Sequence, residues 1–165
     1  GASELVVHAR TKTDAYKPPA HWHWLREIRE ALSINLVANG EVWSREDWLR
    51  CYESSGCQDV MIGRGAVARP DLAQQLKDPT FEPWRWADFC QALSQYWEIL
   101  TDLFNAQGCS DHYRVIRVKQ WLNQSQRGFE EAPALFESIK RLKTSEQIQS
   151  ALAQLSSDRS RANAR

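Results

Sequence analysis

No stretch of this 165-residue chain approaches 18 consecutive apolar residues, which excludes a helical membrane span. With 7 glycines and 6 prolines it is also too poor in both for a low-complexity sequence. Neither charge sign is in excess: 21 basic residues face 21 acidic ones. A zero net charge argues against a highly basic nucleic-acid module and against an acidic disordered tail, yet leaves room for a local basic face. The four cysteines, at 51, 57, 90 and 109, make no C-x-x-C pair, and the four histidines make no H-x-x-x-H pattern. No metal site is therefore expected. No charged-then-apolar leader opens the chain, so reduced core thiols and a cytoplasmic location are expected. The chain starts Gly1-Ala2-Ser3-Glu4-Leu5, without an initiator methionine, as if entered in the middle of a fold.

What is present is globular: 42% apolar and 25% charged residues, enough for one ordinary core or two small ones. Tryptophan is abundant, with 8 residues. Trp22 and Trp24 flank His23, and Trp84 and Trp86 flank Arg85. Core packing is the expected role of these rings, ahead of base stacking.

The first half alternates between two periods. Glu4–His8, Ile34–Ala38 and Asp59–Ile62 are short apolar, β-branched runs and predict strands. Between them, Trp24, Leu25, Ile28 and Leu32 recur at helical spacing. Ser44-Arg45-Glu46-Asp47 fits a helix-capping pattern, and Pro70 suits the first turn of a helix over 71–77. Strand and helix alternating at roughly 27-residue intervals predict βα units on a parallel sheet.

Near Asp78-Pro79 the pattern changes. Phe89, Leu93, Tyr96, Trp97, Leu100 and Phe104 share one face of a long helix that stops near Gly108. Val115, Val118 and Leu122 mark a second helix, and Leu135, Phe136, Ile139 and Leu142 a third. Thr144 is placed to cap a fourth, which buries Ile148, Leu152 and Leu155. The expected organisation is α/β over 1–79, a helical bundle over 80–156 and a frayed polar tail over 157–165.

Each predicted strand ends in polar residues or glycines: His8-Ala9-Arg10-Thr11-Lys12, Asn39-Gly40-Glu41 and Gly63-Arg64-Gly65. Parallel α/β folds bind ligands outside the carboxyl ends of their strands. Glycines there let a phosphate approach backbone N–H groups, and an arginine adds charge-assisted hydrogen bonds. Either glycine cluster alone is as readily a tight turn. The two at matching places in consecutive units favour a phosphate site of the kind found at the mouth of a (β/α)8 barrel.

The segments Leu5–Lys12, Val37–Glu41 and Gly56–Ala66 together resemble, in order and spacing, the tRNA-dihydrouridine synthases. Tyr113–Leu122 resembles the C subgroup of that family. The resemblance covers nearly the whole chain except its tail. It implies the last three βα units of an FMN-binding TIM (β/α)8 barrel followed by a helical tRNA-binding domain. It also implies reduction of the C5–C6 bond of a D-loop uridine, at position 16 for the C subgroup, with NADPH as electron source and the whole enzyme acting as a monomer. By carry-over, Asn39, Gly40, Glu41, Gly63 and Arg64 would hold FMN, chiefly its phosphate, with His8 beside the flavin. Tyr16, Arg117, Lys119, Gln124 and Lys140 would contact or orient tRNA.

Two positions depart from the family pattern. Ala9 stands where glycine is usual, and Lys140 where the subgroup has arginine, exchanging a bidentate contact for a point charge. Between Asp111 and Lys143 seven basic residues face four acidic ones, a local basic surplus. Arg114, Arg117, Trp121 and Gln124 fall on one helical stripe, while Lys119 lies about 200° around from Arg117. Such a stripe suits backbone contacts to folded RNA, although a solvated helix face has the same composition. The family's catalytic cysteine and flavin-side lysine would lie upstream, so no catalytic residue is assigned within the chain. Three βα units would also leave two open sheet edges. Two alternatives share part of the pattern: another FMN barrel, such as a dihydroorotate-dehydrogenase relative, and a non-catalytic RNA-binding helical module.

Overall fold

The computed structural model describes residues 1–162 apart from 16 and 109, with side chains as far as Leu155. Two compact units divide the chain, Gly1–Glu82 and Pro83–Arg165. The expected junction was between residues 79 and 80.

The first unit holds three parallel strands in the order β1-β2-β3: β1 (Glu4–His8), β2 (Asn35–Asn39) and β3 (Val60–Met61). The intervening segments supply α1 (Trp22–Glu30) and α2 (Arg45–Ser55); α3 (Arg64–Ala68) and α4 (Leu72–Lys77) follow β3. Leu36, Val37 and Ala38 of β2 are buried. Of these, Leu36 and Ala38 join Ala9, Leu25, Val42, Cys51 and Cys57 in one core. By contrast β1 is an edge strand, with Leu5 38% and Val6 39% exposed. The capping expected at Ser44 is present: its Oγ accepts the Asp47 N–H at 3.1 Å, and Gly56 ends α2 in the left-handed region at φ 73°.

Two local expectations change. β3 is two residues long rather than four, because the chain leaves the ladder to turn at Gly63 into α3. That short helix has no apolar periodicity to announce it. β2 is shifted one residue later than expected and ends on Asn39, so this side chain joins the strand rather than the turn.

The second unit consists, among its described residues, of α5 (Trp86–Gln107), α6 (Asp111–Ser125), α7 (Ala132–Ile139) and α8 (Ser145–Ala162). Phe89, Leu93, Val115, Val118, Leu122, Ile139 and Ile148 are completely or almost completely buried in one core. Phe89 packs on Phe129 at 4.6 Å between ring centroids and on Trp121 at 5.3 Å. Gly108 stops α5 at φ 65°, and Thr144 Oγ1 accepts the Gln147 N–H at 3.4 Å at the start of α8. α8 runs on to Ala162, into the segment expected to fray; no glycine or proline interrupts it there.

Candidate functional site

Parallel register alone assembles the centre of the site. His8 is level with Asn39, and Asn39 with Met61, at the carboxyl ends of the three strands. The Asn39 amide nitrogen donates to the Met61 carbonyl at 2.8 Å. Its Oδ1 lies 2.5 Å from His8 Nδ1, and as an acceptor it requires the proton on that nitrogen. One asparagine therefore ties the three strand ends together and orients the imidazole. Gly40, at φ 121°, passes beneath the ring, and a Cβ there would lie 3.4 Å from His8 Cε1.

These residues line an open cavity of about 470 Å³. His8, Asn39, Gly40, Glu41, Gly63 and Arg64, the six positions singled out in the sequence for a flavin, all contribute to its wall. Val42, Trp43, Met61 and Gly65 complete it; of these only Gly65 was named in the sequence, as part of the Gly63-Arg64-Gly65 cluster. Trp43 had a signal, an indole two residues beyond the acidic end of a glycine turn. Its Nε1 donates to Glu41 Oε2 at 3.2 Å, and the Arg64 guanidinium lies over its ring at 5.3 Å.

Glu41 connects the three strand-end loops. Its Oε1 is 2.5 Å from Nη2 of the buried Arg10 and 3.4 Å from Nη2 of Arg64. Ala9 is 2% exposed, with its methyl in the core and its N–H donating to the Asn39 carbonyl at 2.8 Å. The extra methyl relative to the family glycine thus points into packing rather than into the cavity.

In the second unit the sequence-derived basic stripe divides. Arg114 is half-buried and turned inward: it donates to Asp111 Oδ1 and Thr101 Oγ1, each at 2.9 Å, and covers the Trp97 ring at 4.8 Å. Trp121 is likewise packed against the core. Arg117 and Gln124 are exposed; the Arg117 guanidinium lies 4.8 Å over Tyr113 and donates to Gln120. Lys119 donates to the main-chain carbonyls of Lys140, at 3.0 Å, and Leu142. Burial lowers the pKa of its ammonium below the usual lysine value. Lys140 is exposed, with its ammonium 2.6 Å from Glu137 Oε2. Lys119 and Lys140 thus meet at the end of α7, apart from the Arg117–Gln124 face of α6. Tyr16 lies outside the described residues.

The dihydrouridine synthase family model matches residues 1–159. The chain belongs to the dihydrouridine synthase family. Among curated relatives, the tRNA-dihydrouridine(16) synthase of Pseudomonas syringae pv. tomato is 44% identical over 148 residues, 86% of this chain and 44% of that one. Its namesake in Shewanella oneidensis is 42% identical over 154 residues, 93% of this chain and 47% of that one. That of Neisseria meningitidis serogroup B is 39% identical over 155 residues, 93% and 46%. The chain spans somewhat less than half the length of these relatives. As a dihydrouridine synthase family member it has no thiol among its described residues that lines the cavity. Cys51 and Cys57 are buried, and burial pushes the Cys51 thiol up to about 11. No group of three His, Cys, Asp or Glu among the described residues is placed to hold a metal ion, and no described helix is long and apolar enough to cross a membrane.

Proposed function

We propose that this chain is the flavin-anchoring and tRNA-orienting part of a cytoplasmic, FMN-dependent tRNA-dihydrouridine synthase acting on the D-loop uridine at position 16. The convergence of His8, Asn39, Gly40, Glu41, Gly63 and Arg64 on one cavity at parallel strand ends carries this reading. In it, the first unit is the last three βα units of the barrel and the second the tRNA-binding domain.

The residues fit a phosphorylated flavin. Gly40 and Gly63 present backbone to the cavity, Arg64 brings a cationic fork to its wall, and the Arg10 guanidinium is buried behind Glu41. His8, with its Nδ1 engaged by Asn39, would turn Nε2 toward the ligand. The chemistry that bound FMN supplies is hydride delivery to the C5–C6 bond of uridine, with NADPH as electron source. On the helical unit, Arg117, Gln124 and Lys140 would contact the tRNA backbone, and Lys119 would act by holding the 140–142 segment in place. Tyr16 is proposed to stand near the bound tRNA.

Flavin absorbance in the purified protein that carries this chain, lost in Arg64→Ala, is the expected result; a colourless parent protein that takes up no added FMN would sink the reading. Arg117→Glu should weaken tRNA binding by about tenfold through a reversed phosphate contact, and unchanged binding would favour an FMN barrel with a small-molecule substrate. The 165-residue chain, supplied with FMN and NADPH, should leave uridine unreduced, since no cavity-lining thiol is present among its described residues to act as the acid. Dihydrouridine formed under those conditions would contradict it.

A further inference from the structure

The cavity wall contains an apparent contradiction. A site proposed for a phosphate has a carboxylate in it: Glu41 lines the cavity. Its side chain is 12% exposed, and its Oε1 lies 3.4 Å from the arginine that should meet the anion. A negative charge beside a phosphate repels it, and at low exposure the repulsion is poorly screened.

Arg10 resolves this. Its side chain has no exposure, and its Nη2 stands 2.5 Å from Glu41 Oε1. None of its three guanidinium nitrogens makes a hydrogen bond among the described residues, so the contact with Glu41 is an ion pair and not a hydrogen bond. A guanidinium buried with so few acceptors is costly unless its charge is matched, and Glu41 matches it. Glu41 itself sits at φ 58°, a conformation that side chains other than glycine's rarely adopt. Arg10 from the loop after β1, Trp43 from the loop after β2 and Arg64 from the start of α3 all hold this one carboxylate. The three ionised groups, Arg10, Glu41 and Arg64, sum to a single positive charge. Without Arg10 they would sum to zero.

We propose that Arg10 is a buried counter-ion and positioning residue. It cancels Glu41 and fixes that carboxylate as the tether of Arg64, and so makes the cavity select a phosphorylated ligand over its unphosphorylated analogue. Arg10 does not touch the ligand; its effect passes through Glu41. The proposal rests on the flavin reading above and adds a residue and a form of specificity to it.

The test compares FMN with riboflavin, which differ only by the phosphate, using flavin-fluorescence titration of the protein that carries this chain. The parent protein should prefer FMN. Arg10→Gln should reduce that preference by at least about tenfold, with riboflavin affinity changed less than twofold. Equal losses for the two ligands would show that Arg10 only supports the fold, and an unchanged preference would likewise overturn the proposal. If Arg10→Gln does not fold, Arg10→Lys decides, because it keeps a positive charge beside Glu41 and leaves the carboxylate that tethers Arg64 in place. It should retain the FMN preference; its loss would show that the charge of Arg10 does not set the preference and would overturn the proposal. A parent protein that binds neither flavin refutes the flavin reading instead, an outcome distinct from all of these.

Discussion

Gly63 and Gly65 stand two residues apart in a motif whose glycines suggest close approach of an anion, yet they do different work. Gly63 lines the cavity, and a Cβ there would meet nothing within 4 Å. Gly65 is buried where α3 crosses the loop after β2, and a Cβ there would lie 2.3 Å from the Val42 carbonyl oxygen and 3.0 Å from Leu72 Cδ2. The near neighbour of Gly65 is therefore an acceptor of its own chain. Gly65→Ala should cost about 2–4 kcal/mol in chemical denaturation, because the clash is with backbone that no side-chain rotation relieves. A loss under about 0.5 kcal/mol would show that α3 and the loop after β2 separate freely. Sequence shows that a glycine is needed but not what approaches it. The cavity residues His8, Asn39 and Arg64 were legible because strand ends and parallel register depend on local pattern. The roles of Arg10 and Trp43 were not, nor was the pairing of Glu41 with Arg10, although Glu41 itself was named for the flavin, since these contacts exist only where the segments after the three strands meet.

At the scale of elements, the helices were legible where their ends carry chemistry: Ser44, Gly108 and Thr144 all stand at the termini their residue types suggest. The basic face of α6 was read less completely, because helical periodicity assigns a direction to a side chain but not a partner. Arg114 is the example: its 15% exposed side chain joins α6 to α5 through Thr101 and the Trp97 ring. Arg114→Ala should destabilise the helical unit by about 1–3 kcal/mol through lost packing and hydrogen bonds, with tRNA affinity in the folded protein little changed. A tenfold loss of tRNA binding at unchanged stability would return Arg114 to the RNA face. Asp111, in the first turn of α6, accepts from the Ser145 hydroxyl and N–H at the start of α8 and from Arg114. The Ser145 hydrogen bond, ahead of Arg114, holds its carboxyl below the ordinary value of 3.8. A depressed carboxylate pKa stabilises the fold above the unfolded value and loses that contribution as pH falls through the folded one. Asp111→Asn should therefore lower the melting temperature at neutral pH. The gap between variant and parent should close as pH falls below about 4, the unfolded carboxylate range. A gap that persists at lower pH would mean that packing, not ionisation, holds α6 to α8.

At the scale of the whole molecule, the two units do not have equal means of stability. Among described residues, the helical unit has twelve in its buried core cluster and the sheet unit seven. Among its described residues the sheet unit also has three strands, one of them two residues long, and its edge strand β1 leaves Leu5 and Val6 more than a third exposed. Hydrophobic stabilisation follows the apolar area removed from water, so the smaller core should yield first. Calorimetry of the 165-residue chain should show two transitions, the lower belonging to residues 1–82. Leu122→Ala, at a fully buried position of the helical core, should cost about 2–5 kcal/mol and move only the upper one. FMN at a hundredfold excess over its dissociation constant should stabilise the sheet unit by about 2.7 kcal/mol and move only the lower one. A single transition that answers to both changes would overturn this division, because it would show that the two cores melt as one cooperative body.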